Sequence, residues 1–164
     1  MLFRSTVSAA LDELNVYADK TIYNFGQMTA NIGKFTAAGV GLSDSVSAIK
    51  GLSNLAAMFG VDAASASNAM YQLSQAISSG VVRLQDWNSV QNAGMGGEAF
   101  QEALIRTARL HGEAVDEAIE KNGSFRESLK ENWLTAEVML STLSQFTGDL
   151  TDYEIGRASC RERV

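Results

Sequence analysis

The sequence predicts an all-α fold, in which short helices joined by glycine-rich turns pack as a compact bundle or a short irregular helical array. Three observations carry that prediction. No proline occurs in 164 residues, where average usage of roughly 5% would supply about eight, so no helix is interrupted by that route. Apolar residues recur at i, i+3 or i+4 and i+7 along most of the chain, the period of an amphipathic helix. The 14 glycines show no triplet period and punctuate those stripes, which excludes a collagen-like chain. With 46% hydrophobic and 20% charged residues, the composition is globular and supplies enough apolar material to oppose chain entropy. The length fits one domain of ordinary size or two small ones.

The first helix is expected over about Thr6 to Lys20, where Ala10, Leu11, Leu14, Tyr17 and Ala18 share a face. A second, from about Ile22 to Ala37, carries Phe25, Met28, Ile32 and Phe35. Gly39 and Gly41 then break the chain. Ser43 or Asp44 caps a helix through Val46, Ile49, Leu52, Leu55, Ala56 and Met58 to Gly60. The next spans about Ala63 to Ser78, with Ala66, Met70, Leu73 and Ile77 facing inward. These two helices read as an internal repeat. Gly39-Val40, Ala48-Ile49 and Leu52-Ser53 recur 21 residues later as Gly60-Val61, Ala69-Met70 and Leu73-Ser74. A third Gly-Val stands one residue early at Gly80-Val81, before a helix over about Leu84 to Gln91. Glycine just past a helix end supplies a left-handed turn, and the following valine packs back on the last turn. Two diverged copies fall short of the three units a solenoid needs. Helices that fold back on one another are therefore favoured over a rod.

Beyond the glycine-rich stretch from Asn92 to Gly97, a long helix is expected from Glu98 to His111, with Phe100, Leu104, Ala108 and His111 marking one face. A more charged helix, Glu113 to Glu120, carries Val115 and Ile119 and closes at Asn122-Gly123. Ser124, with Glu127 three residues on, reads as a capping box. The last helix runs from about Thr135 to Phe146 on Ala136, Met139, Leu140 and Leu143, and Gly148 ends it. Residues 1–153 thus divide into leading helices (about 6–38), repeat-like helices (39–93) and C-terminal helices (94–153).

No catalytic, cofactor-binding or metal-ligating set emerges from these residues, and an enzyme is not expected. Gly94 to Ala99 matches G-x-G-x-x-A, but that fingerprint has meaning only after a buried strand. Asp86 to Asn92 reads instead as helix and turn. The glycines are expected to allow a tight turn, with Glu98 well placed near a helix N-terminus. His111, the sole histidine, precedes Gly112 at a helix end, the position of a C-terminal cation. Neither a second histidine nor a nucleophile elbow accompanies it. Glu113, Asp116, Glu117 and Glu120 lack the alternating oxygen ligands and central glycine of a calcium loop, and read as a solvated face. Trp87 and Trp133 are expected in the core rather than as interface anchors. Met28, Met58, Met70 and Met139 fall on helical stripes and are read as packing. The net charge is −6, and Lys20, Lys34, Lys50, Arg83, Arg106 and Arg109 are spread singly, which argues against direct nucleic-acid binding. No apolar run is long enough for a membrane span, and Met1 to Thr6 lacks the layout of a secretion signal.

Residues 154–164, Glu154-Ile155-Gly156-Arg157-Ala158-Ser159-Cys160-Arg161-Glu162-Arg163-Val164, are similar to the conceptual translation of a common short-read sequencing adapter. They are expected to be a non-native tail, set aside in fold reasoning together with the one cysteine. A reading frame cut near Tyr153 then implies a longer natural protein.

A family resemblance rests on several stretches taken in order. They are Phe35-Thr36-Ala37-Ala38-Gly39-Val40, Ala48-Ile49-Lys50-Gly51-Leu52-Ser53-Asn54-Leu55-Ala56-Ala57, and Ala69-Met70-Tyr71-Gln72-Leu73-Ser74-Gln75-Ala76. Leu84-Gln85-Asp86-Trp87-Asn88-Ser89-Val90-Gln91-Asn92-Ala93-Gly94-Met95-Gly96-Gly97 follows, then Gly123-Ser124-Phe125-Arg126-Glu127-Ser128-Leu129 and Trp133-Leu134-Thr135. From about Leu11 to Asp152 the chain resembles the N-terminal region of tailed-phage tape measure proteins. That resemblance implies a structural role. Such proteins set tail length by occupying the lumen while tube subunits polymerise around them, a helix rising about 1.5 Å per residue. It further implies the tail tube protein, tail assembly chaperones and tail tip proteins as partners, and release ahead of DNA during ejection. The implied location is the virion tail lumen, and the host bacterial cytoplasm during assembly. No cofactor is implied. Two other readings stay open: the helical carrier of a tail-associated cell-wall hydrolase whose catalytic domain is missing, or a free helical interaction module of a prophage remnant. A catalytic domain encoded downstream favours the first, and a stop codon near residue 153 the second.

Overall fold

A computed structural model describes residues 2–19 and 25–148 of the chain. Among the described residues there are nine α-helices: α1 (Leu2–Asp19), α2 (Phe25–Ala37), α3 (Leu42–Phe59), α4 (Ala63–Ser79), α5 (Leu84–Asn92), α6 (Glu98–Leu110), α7 (Val115–Asn122), α8 (Phe125–Ser128) and α9 (Ala136–Leu143). Single 3₁₀ turns follow α8 at Leu129–Glu131 and α9 at Ser144–Phe146. The fold is all-α, as the periodicity predicts. The expected helix limits at Lys20 and Ile22, the Phe25 side chain, residues 149–153 and the tail 154–164 lie outside the described residues.

Most of the predicted stripe residues are buried, while Ala10, Leu11, Ala18, Met58, Ile119, Ala136 and Leu140 are half-buried. Leu14, Tyr17, Met28, Ile32, Phe35, Ile49, Leu52, Leu55, Met70, Leu73, Ile77, Leu104, Met139 and Leu143 belong to one cluster of buried side chains that runs from α1 to α9. Each fully buried side chain of this size contributes roughly 1.5–3 kcal/mol by leaving water. Both tryptophans are in the core, Trp87 at 1% and Trp133 at 2% exposure. Five rings form a continuous row. Phe146 meets Phe100 edge-on at 6.1 Å, Phe100 lies 5.7 Å from Trp87, Trp87 lies 4.9 Å from Phe125, and Phe125 meets Trp133 edge-on at 5.5 Å. These separations are those at which aromatic pairs attract beyond their area burial, so α5, α6 and α8 are joined to the segment after α9.

The turns explain how the helices double back. Gly60 has φ +70°, and Gly60 N–H donates to Ala57 O while Val61 N–H donates to Ala56 O at 2.8 Å. This is the paired bonding of a Schellman motif. Val40 N–H closes the end of α2 on Phe35 O in the same way. The third Gly-Val departs from that pattern. There the backbone at Gly80 to Val82 pairs with the segment before α9: Val82 N–H donates to Leu134 O at 2.8 Å, and Ala136 N–H donates to Gly80 O at 2.9 Å. The predicted offset of one residue is the sign of this different turn.

Four local expectations are corrected. Helix α1 starts at Leu2 rather than near Thr6. Helix α3 is capped at Gly41, not at Ser43 or Asp44, because the Gly41 carbonyl takes both the Ser45 N–H (2.9 Å) and the Ser45 hydroxyl (2.8 Å). Asp44 instead sits in the first turn, where the helix dipole favours an anion. Helix α7 starts at Val115 rather than Glu113, whose N–H is engaged by Ala108 O in closing α6. His111 is exposed and not on the buried face, because it is the capping residue at which α6 unwinds. The capping residue Ser124 behaves as read in one arm only. Its hydroxyl accepts the Glu127 N–H at 3.2 Å, while the Glu127 carboxylate turns to Arg126 and Lys130.

Candidate functional site

The glycine-rich fingerprint forms the turn between α5 and α6. Gly94 takes φ +87°, and Met95 behind it is fully buried, with its N–H on Val90 O. Gly97 lies against the Phe59 ring, so closely that a Cβ there would overlap it. The element before the motif is helix α5, where the dinucleotide fingerprint requires a strand.

His111 opens onto a concavity of about 300 Å³ lined by Asp44, Ser47, Glu137, Leu140, Ser141 and Ser144. The acidic run divides into separate tasks. Asp116 takes a two-pronged bond from Arg109, at 2.6 Å from the terminal nitrogen and 2.9 Å from Nε. That hydrogen bond holds the Asp116 carboxyl below the ordinary aspartate range and raises the Arg109 guanidinium. Glu113 and Glu117 line a second concavity of about 300 Å³ with Lys121, Glu131 and Trp133. Lys121 pairs with Glu131 at 3.0 Å and lowers its carboxyl, with help from the Asn122 amide. Glu120 is exposed. The four carboxylates therefore share a region without converging on one point. Among the described residues no group of three or more His, Cys, Asp or Glu is placed to hold a metal ion, and no helix is long and apolar enough to cross a membrane.

The most organised polar centre is one that sequence reasoning missed. Asn54, fully buried on α3, accepts the Tyr17 hydroxyl at 2.5 Å and donates to the carbonyls of Phe146 (2.5 Å) and Gly148 (3.0 Å). Beside it Lys50 pairs with Glu13 at 2.8 Å and lies 5.7 Å above the Tyr17 ring. One side chain thus fastens α1 and the segment leaving α9 to the same point of α3. The available signal was an Asn in the apolar run Leu52 to Met58, one helical turn from Lys50. A buried amide in such a run needs partners.

The molecule is therefore an array of packed helices in which the Asn54 amide ties three segments together. A family model described as Tape measure protein matches residues 4–153, and the chain belongs to that family. It is accordingly a structural component of a phage tail. No curated protein and no solved structure gives a significant match.

Proposed function

We propose that this chain is part of the tape measure that sets tail length during assembly and leaves the tail ahead of the DNA. The single observation that carries the reading is the family match over residues 4–153. Within that role the chain serves as a folded helical module, divided as 6–38, 39–93 and 94–153, and not as the ruler rod. The support is the folding back of α2, α3 and α4 at the Gly39 and Gly60 turns, since a ruler gains about 1.5 Å per residue only where its helices run on. Its partners in this reading are the tail tube protein, assembly chaperones and tail tip proteins, met first in the host cytoplasm and then in the tail lumen. It acts without cofactor, catalytic residue or direct nucleic-acid contact, and residues 154–164 play no part.

The test is electron microscopy of phage whose gene for this protein carries in-frame deletions. Tails that shorten in step with deletions in rod-forming segments, but fail to assemble when residues 39–79 are removed, support the reading. Tails whose length ignores every deletion overturn length determination. Tails that shorten smoothly with deletions inside residues 39–79 overturn the folded-module role.

A further inference from the structure

Six Ser and Thr hydroxyls are buried among the described residues, and five of them bond to a carbonyl of their own helix. Ser45 donates to Gly41 O at 2.8 Å, Ser74 to Tyr71 O at 2.7 Å and Thr107 to Ala103 O at 2.8 Å. Ser128 donates to Phe125 O at 2.6 Å and Thr142 to Val138 O at 2.7 Å. Ser53 is the exception. Its Oγ is buried and has no partner.

The same side chain lines a small cavity with Gln27, Met28, Asn31, Ala63, Ser67 and Met70. The volume is about 10 Å³, at the lower limit for one water molecule, which also needs two to four polar partners. Such partners line this wall. Asn31, 2% exposed, directs its amide nitrogen to Ser67 Oγ at 3.2 Å and to the Met70 sulfur at 3.5 Å. Its Oδ1 is approached only by Lys34 Nζ at 3.5 Å among the contacts described, which leaves acceptor capacity on that oxygen.

We propose that this cavity is a binding site for a single ordered water, held by the Ser53 hydroxyl, Asn31 Oδ1 and the Ser67 hydroxyl. The water accepts from Ser53 and donates to Asn31, so that α2, α3 and α4 share one bridging molecule. An unpaired buried hydroxyl is costly, and a bridging water relieves that cost nearly as well as a direct bond. The competing arrangement is a turn of the Ser53 side chain onto the Ile49 carbonyl, as the other five hydroxyls do.

The experiment is water-selective NMR on the full chain, reading magnetisation transfer from long-lived bound water to protons of Asn31, Ser53 and Ser67. The expected result is a transfer peak in the natural sequence that disappears in Ser53→Ala and persists in Ser74→Ala. Absence of the peak in the natural sequence, or its survival in Ser53→Ala, overturns the proposal. A crystal structure with Ser53 Oγ turned to Ile49 O and the cavity empty overturns it equally.

Discussion

Gly51 of α3 lies directly beneath the carbonyl group of Leu143 at the end of α9, and a Cβ on Gly51 would overlap that oxygen. The contact is backbone against backbone, so no flexible side chain can yield. It sets how closely α3 and α9 approach.

This reverses the usual sign of a helical glycine substitution. In an open helix position, Gly→Ala stabilises by about 1 kcal/mol. Gly33 on α2 is such a position, with nothing within 4 Å of its would-be Cβ, and Gly33→Ala is expected to gain about that much. Gly51→Ala is expected to lose about 2 kcal/mol, the scale of overpacking in a dense core. Urea unfolding of the two variants against the natural sequence checks both signs together.

Removing the Asn54 amide takes one bond from the Tyr17 hydroxyl and one from each of the carbonyls of Phe146 and Gly148. Asn54→Ala is expected to cost about 3 kcal/mol, and Tyr17→Phe about 1 kcal/mol, as for three lost bonds and for a single lost bond. The double variant should lose less than the sum. Hydrogen exchange at residues 146–148 should accelerate in Asn54→Ala. Unchanged exchange there would show that the segment is held by other contacts.

Trp87 touches both Phe100 and Phe125 and so occupies the centre of the aromatic row. Trp87→Ala is expected to cost about 3–5 kcal/mol. Trp133 emission, the remaining tryptophan signal, reports whether α8 stays packed. A variant that unfolds at the natural urea midpoint contradicts the role given to this ring.

Four surface carboxyls are held below their ordinary values: Asp62 by the Ser65 N–H and hydroxyl, Asp116 by Arg109, the half-buried Glu127 by Lys130, and Glu131 by Lys121. A depressed folded value means that the unfolded chain binds protons first as pH falls. Their stabilisation is full above the ordinary carboxylate range of about pH 4 and is lost as pH drops through the lower folded values. Urea midpoints measured from pH 6 downward should therefore fall in that acid range. Asp62→Asn keeps a capping oxygen for Ser65 but removes its titration, so its profile should be shallower. An unchanged slope would remove Asp62 from the acid sensitivity.

Much of the fold was legible because burial obeys helical period. Leu14, Ile49, Leu73 and Leu104 are predicted inward and are fully buried. Misreadings arose where backbone bonding decides the boundary. The start of α3 depends on the Gly41 carbonyl, and the start of α7 on how α6 closes, and neither leaves a periodic trace. Glu113 reads as helix by composition, yet its N–H belongs to the previous turn. The Asn54 centre was hidden for a different reason. Its partners are two main-chain carbonyls and a tyrosine in distant segments, and carbonyls have no residue type to recognise. The pairing of Gly80 and Val82 with Leu134 and Ala136 was equally invisible, although the displaced third Gly-Val marked its place.

The two carbonyls that Asn54 binds belong to residues 92 and 94 positions later in the chain. During synthesis, at about 5–20 residues per second, that interval is on the order of 5–20 s. Through that time the ribosome has delivered α3 with the Asn54 amide nitrogen lacking these two acceptors and the Gly51 surface uncovered. The first four helices must wait as an unfinished half for α9 to emerge, and only the arrival of Gly148 completes the bonds of the Asn54 amide. A nascent chain stalled before that residue should be far more open to protease than one stalled after it has left the exit tunnel.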